Sequence, residues 1–151
     1  MQIIKSSTLT WVDIQSPSYK DIHKLTQDFK IHPILANRLK DPTLRQTVEV
    51  VDNFLFIVMH FPIFNEEKQT SESTEIDFII TPNMILTTRY RDIEPFDTVL
   101  KKCSSLSLMN GDHCLAKGPL FLFYYIVKEL FNFSSREIDH IHKKIAQIEE
   151  G

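Results

Sequence analysis

Two adjacent carboxylates in a polar segment are the residues of this sequence best suited to chemistry. Glu66 and Glu67 lie in the run from Asn65 to Ser73, which reads as an exposed loop. Carboxylate oxygens suit hard cations such as Mg²⁺, but Mg²⁺ sheds its water reluctantly and wants a well-set oxygen shell. We therefore expect Glu66 and Glu67 to bind metal weakly unless a partner surface supplies more oxygens. The alternative is a solvated acidic loop.

Other clusters of potentially reactive residues are weaker candidates for a catalytic or metal site. Asp112-His113-Cys114 are neighbours in a loop, where side chains rarely converge on one point. His140 and His142 are two apart on a predicted helix and point away from each other, so they cannot share a metal. With three glycines and no nucleophile–base motif, the sequence predicts neither a nucleotide cradle nor an enzyme.

Composition excludes several classes of protein. The 151 residues include 42% hydrophobic and 25% charged residues, which is typical of a soluble globular domain. The net charge of −3 argues against a nucleic-acid partner. Cys103 and Cys114 are expected to be reduced cytosolic thiols. No signal peptide is expected, and the apolar run Leu120 to Val127 falls far short of the roughly 20 residues that span a bilayer.

A hairpin is the most informative local pattern. Gln46–Val51 is a β-rich run, Asp52-Asn53 has turn chemistry, and Phe54–Met59 is nearly all apolar. A continuous apolar run indicates a strand that is covered on both faces. We expect three of its side chains to be buried: Phe54, Phe56 and Val58.

Helices and further strands surround this hairpin. Ser16 is the predicted N-cap of a first helix, and Pro33 begins a second. Glu75–Thr81 and Met84–Tyr90 are predicted strands, and apolar spacing predicts one long helix over Pro119–Glu150, or two with a kink near Ser134. The order of elements favours an α/β fold, a mixed β-sheet sandwiched between helices.

Five segments, in this order and spacing, resemble the cytoplasmic N-terminal domain of the CorA family of magnesium transporters. Together they cover nearly the whole chain: Trp11-Val-Asp-Ile, Phe29-Lys-Ile-His-Pro-Ile-Leu, Arg45–Met59, Glu75–Thr87 and Phe121–Glu150. The resemblance implies that residues 1–151 are one regulatory domain on the cytoplasmic side of the inner membrane. It also implies a parent protein that is a homopentamer and carries divalent ions such as Mg²⁺ or Co²⁺.

The resemblance further implies a place for metal sensing. Family members bind regulatory Mg²⁺ through a carboxylate in the loop after the hairpin's second strand, which faces a stalk carboxylate of the neighbouring subunit. Asn65 takes that position here, and Glu66 and Glu67 adjoin it. We therefore expect a metal site of Asn65, Glu66 and Glu67 that binds Mg²⁺ weakly in the isolated domain.

The family's pore motif Gly-Met-Asn, its stalk helix and its membrane helices are not found in this sequence. We expect a domain excised from a longer transporter, or else a natural stand-alone homologue. The isolated domain is expected to be a monomer or weak dimer that reaches the membrane only through the missing C-terminal part. The alternative is a soluble α/β interaction module that dimerises through its C-terminal apolar helix, and the ion and the direction of transport stay open.

Overall fold

The computed structural model of the protein describes residues 1–65, 67–106 and 114–151. In these ranges the chain forms strands and helices with the following bounds: β1 Gln2–Lys5, β2 Thr10–Gln15, α1 Tyr19–Gln27, α2 Pro33–Arg38, β3 Thr47–Val51, β4 Phe54–Asn65, β5 Thr70–Thr81, β6 Met84–Arg89, α3 Glu94–Leu106 and α4 Pro119–Glu150.

The strands form a mixed sheet. Within the described residues six strands lie in the order β1-β2-β6-β5-β4-β3. β2 and β6 pair in parallel, with Trp11 opposite Ile85, and every other neighbouring pair is antiparallel. The predicted α/β fold with a mixed sheet between helices is confirmed.

One face of the sheet is covered by α1 and α2. Side chains of α1, of α2 and its flanking residues, and of one face of the strands form a buried cluster, which we call the α1–α2 core. Its members are Val12, Ile14, Ile22, Leu25, Ile31, Leu35, Ala36, Leu39, Phe56, Val58, Ile79, Met84 and Leu86. Ser18, not Ser16, caps α1 and forms a capping box with Asp21. Ser16 instead has φ 50°, so the chain is still turning there and the prediction of Ser16 as N-cap was wrong.

The other face is covered by α3 and α4. Their buried side chains pack with Trp11, Phe61 and Phe78 in a second cluster, the α3–α4 core. The helix α4 is continuous from Pro119 to Glu150, which selects the single long helix of the two alternatives. It buries Leu122, Ile126, Leu130 and Ser134 at steps of four. That spacing keeps one face of the helix against the sheet.

The β4–β5 hairpin is longer than its sequence suggests. Eleven cross-strand pairs run from Leu55–Ile80 to Asn65–Thr70. The expected loop from Asn65 to Ser73 is therefore wrong in part, because residues 70–73 belong to β5. Thr and Ser suit a pleated strand that is exposed, so polarity alone did not distinguish this arm from a loop.

The expected burial of the second hairpin strand holds for two of three residues. Phe56 and Val58 are each 1% exposed. Phe54 is only half-buried, at the edge of the α1–α2 core. It opens the strand directly after the Asp52-Asn53 turn, in which Asp52 has φ 51°.

The two cysteines are joined in a disulfide, which contradicts the expectation of two reduced thiols. Cys103 lies in α3 and Cys114 lies shortly before α4, with their Cα atoms 5.5 Å apart. Their separation of 11 residues gave no sign of pairing. The packing of α3 beside α4 brings both ends of that segment within the Cα distance that a disulfide requires.

Phe56→Ala tests this core. The ring is buried between sheet and helices, so its removal leaves a cavity and should lower the free energy of unfolding by about 3–5 kcal/mol. Urea unfolding measures the change. Val48→Ala on the neighbouring strand is the control, because Val48 is 72% exposed and should change stability by less than about 0.5 kcal/mol. An unchanged midpoint for Phe56→Ala would contradict the assignment.

Candidate functional site

The tip of the β4–β5 hairpin carries the residues expected to bind metal. Asn65 ends β4, and its Oδ1 accepts a hydrogen bond from the backbone N–H of Lys68 at 3.1 Å. Lys68 Nζ lies 3.2 Å from Glu72 Oε1, and Arg91 Nη1 lies 2.9 Å from Glu72 Oε2. Hydrogen bonds from Arg91 and Lys68 lower the pKa of Glu72 from its ordinary value. The carboxylate of Glu72 thus already has two cationic partners.

These contacts limit what the tip can do alone. The side-chain oxygen of Asn65 shapes the turn, Glu67 is exposed, and Glu66 lies outside the described residues. In the part of the chain that the structure describes, no three His, Cys, Asp or Glu side chains are placed to hold a metal ion. Metal binding by Asn65, Glu66 and Glu67 therefore stays a prediction.

The other clusters considered from sequence lie partly outside the described residues or on an exposed helix face. Asp112 and His113 lie outside the described residues, and Cys114 is held in the disulfide. His140 and His142 are both exposed on α4. Neither pattern gives a catalytic or metal centre within the described ranges.

A buried carboxyl pair lies where the sequence analysis found none. Glu75 and Asp77 sit two apart on β5, so they share the face of the sheet that α1 and α2 cover. Glu75 is 8% exposed and Asp77 is 1% exposed. Glu75 Oε2 accepts the backbone N–H of Thr43 at 2.7 Å, and Thr88 Oγ1 donates to Asp77 Oδ2 at 3.3 Å.

The environment of this pair favours its protonated form. Burial, followed by the hydrogen bond and negative charge of Glu75, raises the pKa of Asp77 to about 8. Burial also raises the pKa of the Tyr90 hydroxyl, and the charges of Asp77 and Glu75 add to that rise. Tyr90 therefore stays a neutral donor, and its hydroxyl lies 3.1 Å from the carbonyl oxygen of Leu39.

A second buried charge cluster lies on the opposite face of the sheet. Arg89 Nη2 lies 3.3 Å from Asp13 Oδ2 and 2.8 Å from Asp97 Oδ1. Thr87 Oγ1 donates to Asp13 Oδ1 at 2.7 Å and accepts from Trp11 Nε1 at 3.0 Å. Burial raises the pKa of Asp13, and Thr87 and Arg89 oppose that rise. This network joins β2, β6 and α3.

Sequence reasoning missed both clusters, although each left a signal. Glu75-Ile-Asp-Phe-Ile-Ile places two acids at alternate positions of an otherwise apolar strand. Alternate positions face the same side, so an apolar strand with covered faces must bury both carboxyls. Trp11-Val-Asp carries the same signal for Asp13. The partners Thr43, Tyr90 and Arg89 are distant in sequence and had no local signal.

Known proteins are similar to this chain in sequence and in fold. The family model described as "CorA-like Mg2+ transporter protein" matches residues 6–151. The chain belongs to the CorA-like family. The CorA resemblance read from the sequence is therefore confirmed. The cobalt/magnesium transport protein CorA of Thermotoga maritima is 28% identical over 146 residues, which are 96% of this chain and 40% of that protein.

Solved CorA structures share the fold. The complete CorA magnesium transporter of Methanocaldococcus jannaschii superposes with a TM-score of 0.77 at 21% identity, over 97% of this chain and 44% of that chain. The soluble domain of the same transporter gives 0.77 at 22% identity, over 95% of this chain and 55% of that chain. The CorA-like chain thus spans about half the length of these relatives.

Within the described ranges, no helix of this CorA-like chain is both long enough and apolar enough to cross a bilayer.

Arg89→Met tests the buried charge network of the CorA-like chain. Removing the guanidinium leaves Asp13 buried without its cation, so we expect a loss of about 3–5 kcal/mol in the free energy of unfolding at neutral pH. Arg91→Met is the matched control, because the Arg91 side chain is 41% exposed and its ion pair with Glu72 should contribute at most about 1 kcal/mol. Equal losses in the two variants would show that the network adds no stability.

Proposed function

We propose that this chain is the cytoplasmic regulatory domain of a CorA-type transporter of divalent cations such as Mg²⁺ or Co²⁺. The family match over residues 6–151 is the observation that carries the proposal. The agreement in fold with the soluble domain of an archaeal CorA supports it. On this proposal the domain lies on the cytoplasmic side of the inner membrane, catalyses no reaction, and works within a homopentamer of the parent protein.

The hairpin tip is the proposed metal-sensing element. Asn65 and Glu67 stand at the end of a two-stranded arm that extends beyond the pairing partners of β6, and Glu66 lies between them in the sequence. Lys144 of α4 lies 5.4 Å from the ring centroid of Phe64, so the arm rests against the long helix just before its tip. An arm held in this way presents its tip to a neighbouring surface, from which the missing metal ligands would come.

Mg²⁺ regulation is tested in the full-length transporter. Glu66→Gln with Glu67→Gln removes both carboxylates of the tip, so closing by internal Mg²⁺ should require a higher concentration of the ion. Ion flux into vesicles, measured against internal Mg²⁺, gives the shift. The isolated chain should bind Mg²⁺ only at millimolar concentration or weaker, as measured by calorimetry, because the tip supplies only part of a shell.

A matched variant controls for charge. Asp28→Asn with Asp92→Asn removes the same two charges from exposed positions away from the tip and should leave the flux curve unchanged. Flux curves of wild type and the Glu66–Glu67 variant that superimpose would reject the tip as sensor. That result would not affect the assignment as a transporter. The transporter assignment fails only if the full-length protein carries no divalent ion.

A second candidate function has one observation in its favour. The helix α4 exposes a row of apolar side chains, most of them seven residues apart: Leu120, Tyr124, Phe131, Ile138, Ile145 and Ile148. A seven-residue repeat suits packing against another helix. The chain could therefore be an interaction module that dimerises through α4.

Sedimentation separates the two candidates. We expect a monomer or a weak dimer of the isolated chain at micromolar concentration, because one helical stripe buries less surface than stable interfaces of standard size. Any dimer should dissociate when Phe131 and Ile138 are both changed to Lys. A dimer that persists at nanomolar concentration would favour the interaction module, and a stable pentamer of the isolated chain would contradict our expectation.

A further inference from the structure

The carboxyl pair of Glu75 and Asp77 contains oxygens that the described structure leaves without a partner. Glu75 Oε1 and Asp77 Oδ1 are buried, and neither has a hydrogen-bond donor within the described part of the chain. The two carboxyls occupy alternate positions of β5 and lie on the same covered face of the sheet. An ionised carboxylate only accepts hydrogen bonds, so neither group can satisfy the other while both are charged. A proton bound by the pair would supply the missing donor.

The segment between α2 and β3, residues 39–46, covers this pair. Thr43 N–H donates to Glu75 Oε2, and the carbonyl oxygen of Thr43 lies 2.8 Å from His60 Nε2. Tyr90 holds the start of the segment through Leu39. A cleft of about 380 Å³ runs beneath it, lined by Thr43, Glu75 and Tyr90 among others. Leu44, next to Thr43, is 96% exposed, so few apolar contacts hold this part of the segment.

Titratable groups from β4, from the residue after β6 and from the covering segment surround the pair. His60 of β4 lies 3.4 Å from Glu75 Oε2, Tyr90 follows β6, and Asp41 belongs to the covering segment. Arg91 lines the cleft, but its guanidinium is paired with Glu72. No lysine or arginine side chain lies within ion-pair distance of Glu75 or Asp77 in the described residues, and His60 is the basic side chain beside them.

We propose that Glu75 and Asp77 form a proton-binding site, in which one shared proton keeps the 39–46 segment fastened to the sheet. This site goes beyond the metal-sensing role of the hairpin tip and does not depend on it. Loss of the proton leaves two buried negative charges side by side. The segment then opens, because water reaches the carboxylates once Thr43 has left Glu75.

The direction of the pH effect follows from the two states. In the closed state the pKa of Asp77 is about 8. In the open state both carboxyls face water and ionise near their ordinary values, roughly pH 4. Opening therefore releases a proton and becomes about tenfold more favourable with each pH unit from roughly pH 5 to 8. Above pH 8 both states are ionised, and the effect levels off.

Amide hydrogen exchange of Thr43 measures this opening directly. Its protection factor, corrected for the intrinsic exchange rate at each pH, should fall about tenfold per pH unit between roughly pH 5.5 and 8 and then level off. Protection that does not change with pH would overturn the proposal. Equal protection of Thr43 and Ile79, a core residue of β5, would also overturn it, because the segment would then open only with the whole fold.

Variants assign the proton to the pair. Asp77→Asn places an amide donor beside Glu75 and should abolish the dependence of Thr43 protection on pH. Asp28→Asn, at an exposed position, should retain that dependence. His60→Gln removes the neighbouring histidine and should also retain the slope; loss of the slope there would assign the proton to His60. If Asp77→Asn fails to fold, the carbon-13 shift of the wild-type Asp77 carboxyl decides: titration near pH 8 supports the proposal, and titration near pH 4 refutes it.

Discussion

The parallel pairing of β2 with β6 is the contact on which the sheet depends. Six residue pairs, from Thr10–Met84 to Gln15–Arg89, join the N-terminal hairpin to the four strands that follow α2. Those four strands are linked by antiparallel hairpins and could form from local contacts. β2 and β6 are more than 70 residues apart in the chain. The entropy lost in closing that long loop must be offset by burial, which Trp11 and Val12, both 0% exposed, supply in opposite cores.

Carboxylates are buried on both faces of the sheet beside this junction, and burial disfavours their charge. The two faces offset that cost in different ways. On the α3 side, Asp13 is balanced by Arg89, and the ion pair is completed by Asp97. On the α1–α2 side, Asp77 and Glu75 have no arginine or lysine, and protonation removes the charge that burial disfavours. The two clusters lie on neighbouring strands, since Arg89 pairs across from Ile76. The cost of burying a carboxylate is thus offset by an ion pair on one face and by protonation on the other.

The outer parts of the molecule suit a domain that works against other surfaces. The β4–β5 arm and α4 both reach past the sheet, and Phe61 and Phe131 join them edge to face with ring centroids 5.8 Å apart. The buried side of α4 ends near Ser134, whereas its apolar residues continue to Ile148. A helix that keeps an apolar face beyond its own core has surface left for a partner.

The sequence by itself determined most of the strands and helices, although not the start of β5 or the cap of α1. The apolar run after Asp52-Asn53, the proline that opens α2 and the helical spacing of Pro119–Glu150 each act within a few residues, so local rules read them correctly. The ordered segments also sufficed to recognise the CorA-like family, as the match over residues 6–151 bears out. The sequence placed Asn65 and Glu67 near the turn of this hairpin, Glu66 lies outside the described residues, and the metal-binding role of all three stays a prediction.

Only the tertiary structure decided which distant residues meet. The pairing of Cys103 with Cys114 follows from the packing of α3 on α4, and the arm beyond Met59 exists because residues 70–73 find partners across the hairpin. Glu75 and Asp77 lie under the 39–46 segment, whose Thr43 backbone nitrogen is 2.7 Å from Glu75 Oε2. A residue's own neighbours fix its conformation and the side to which it points. What covers that side depends on contacts between residues far apart in the chain, which local periodicity does not encode.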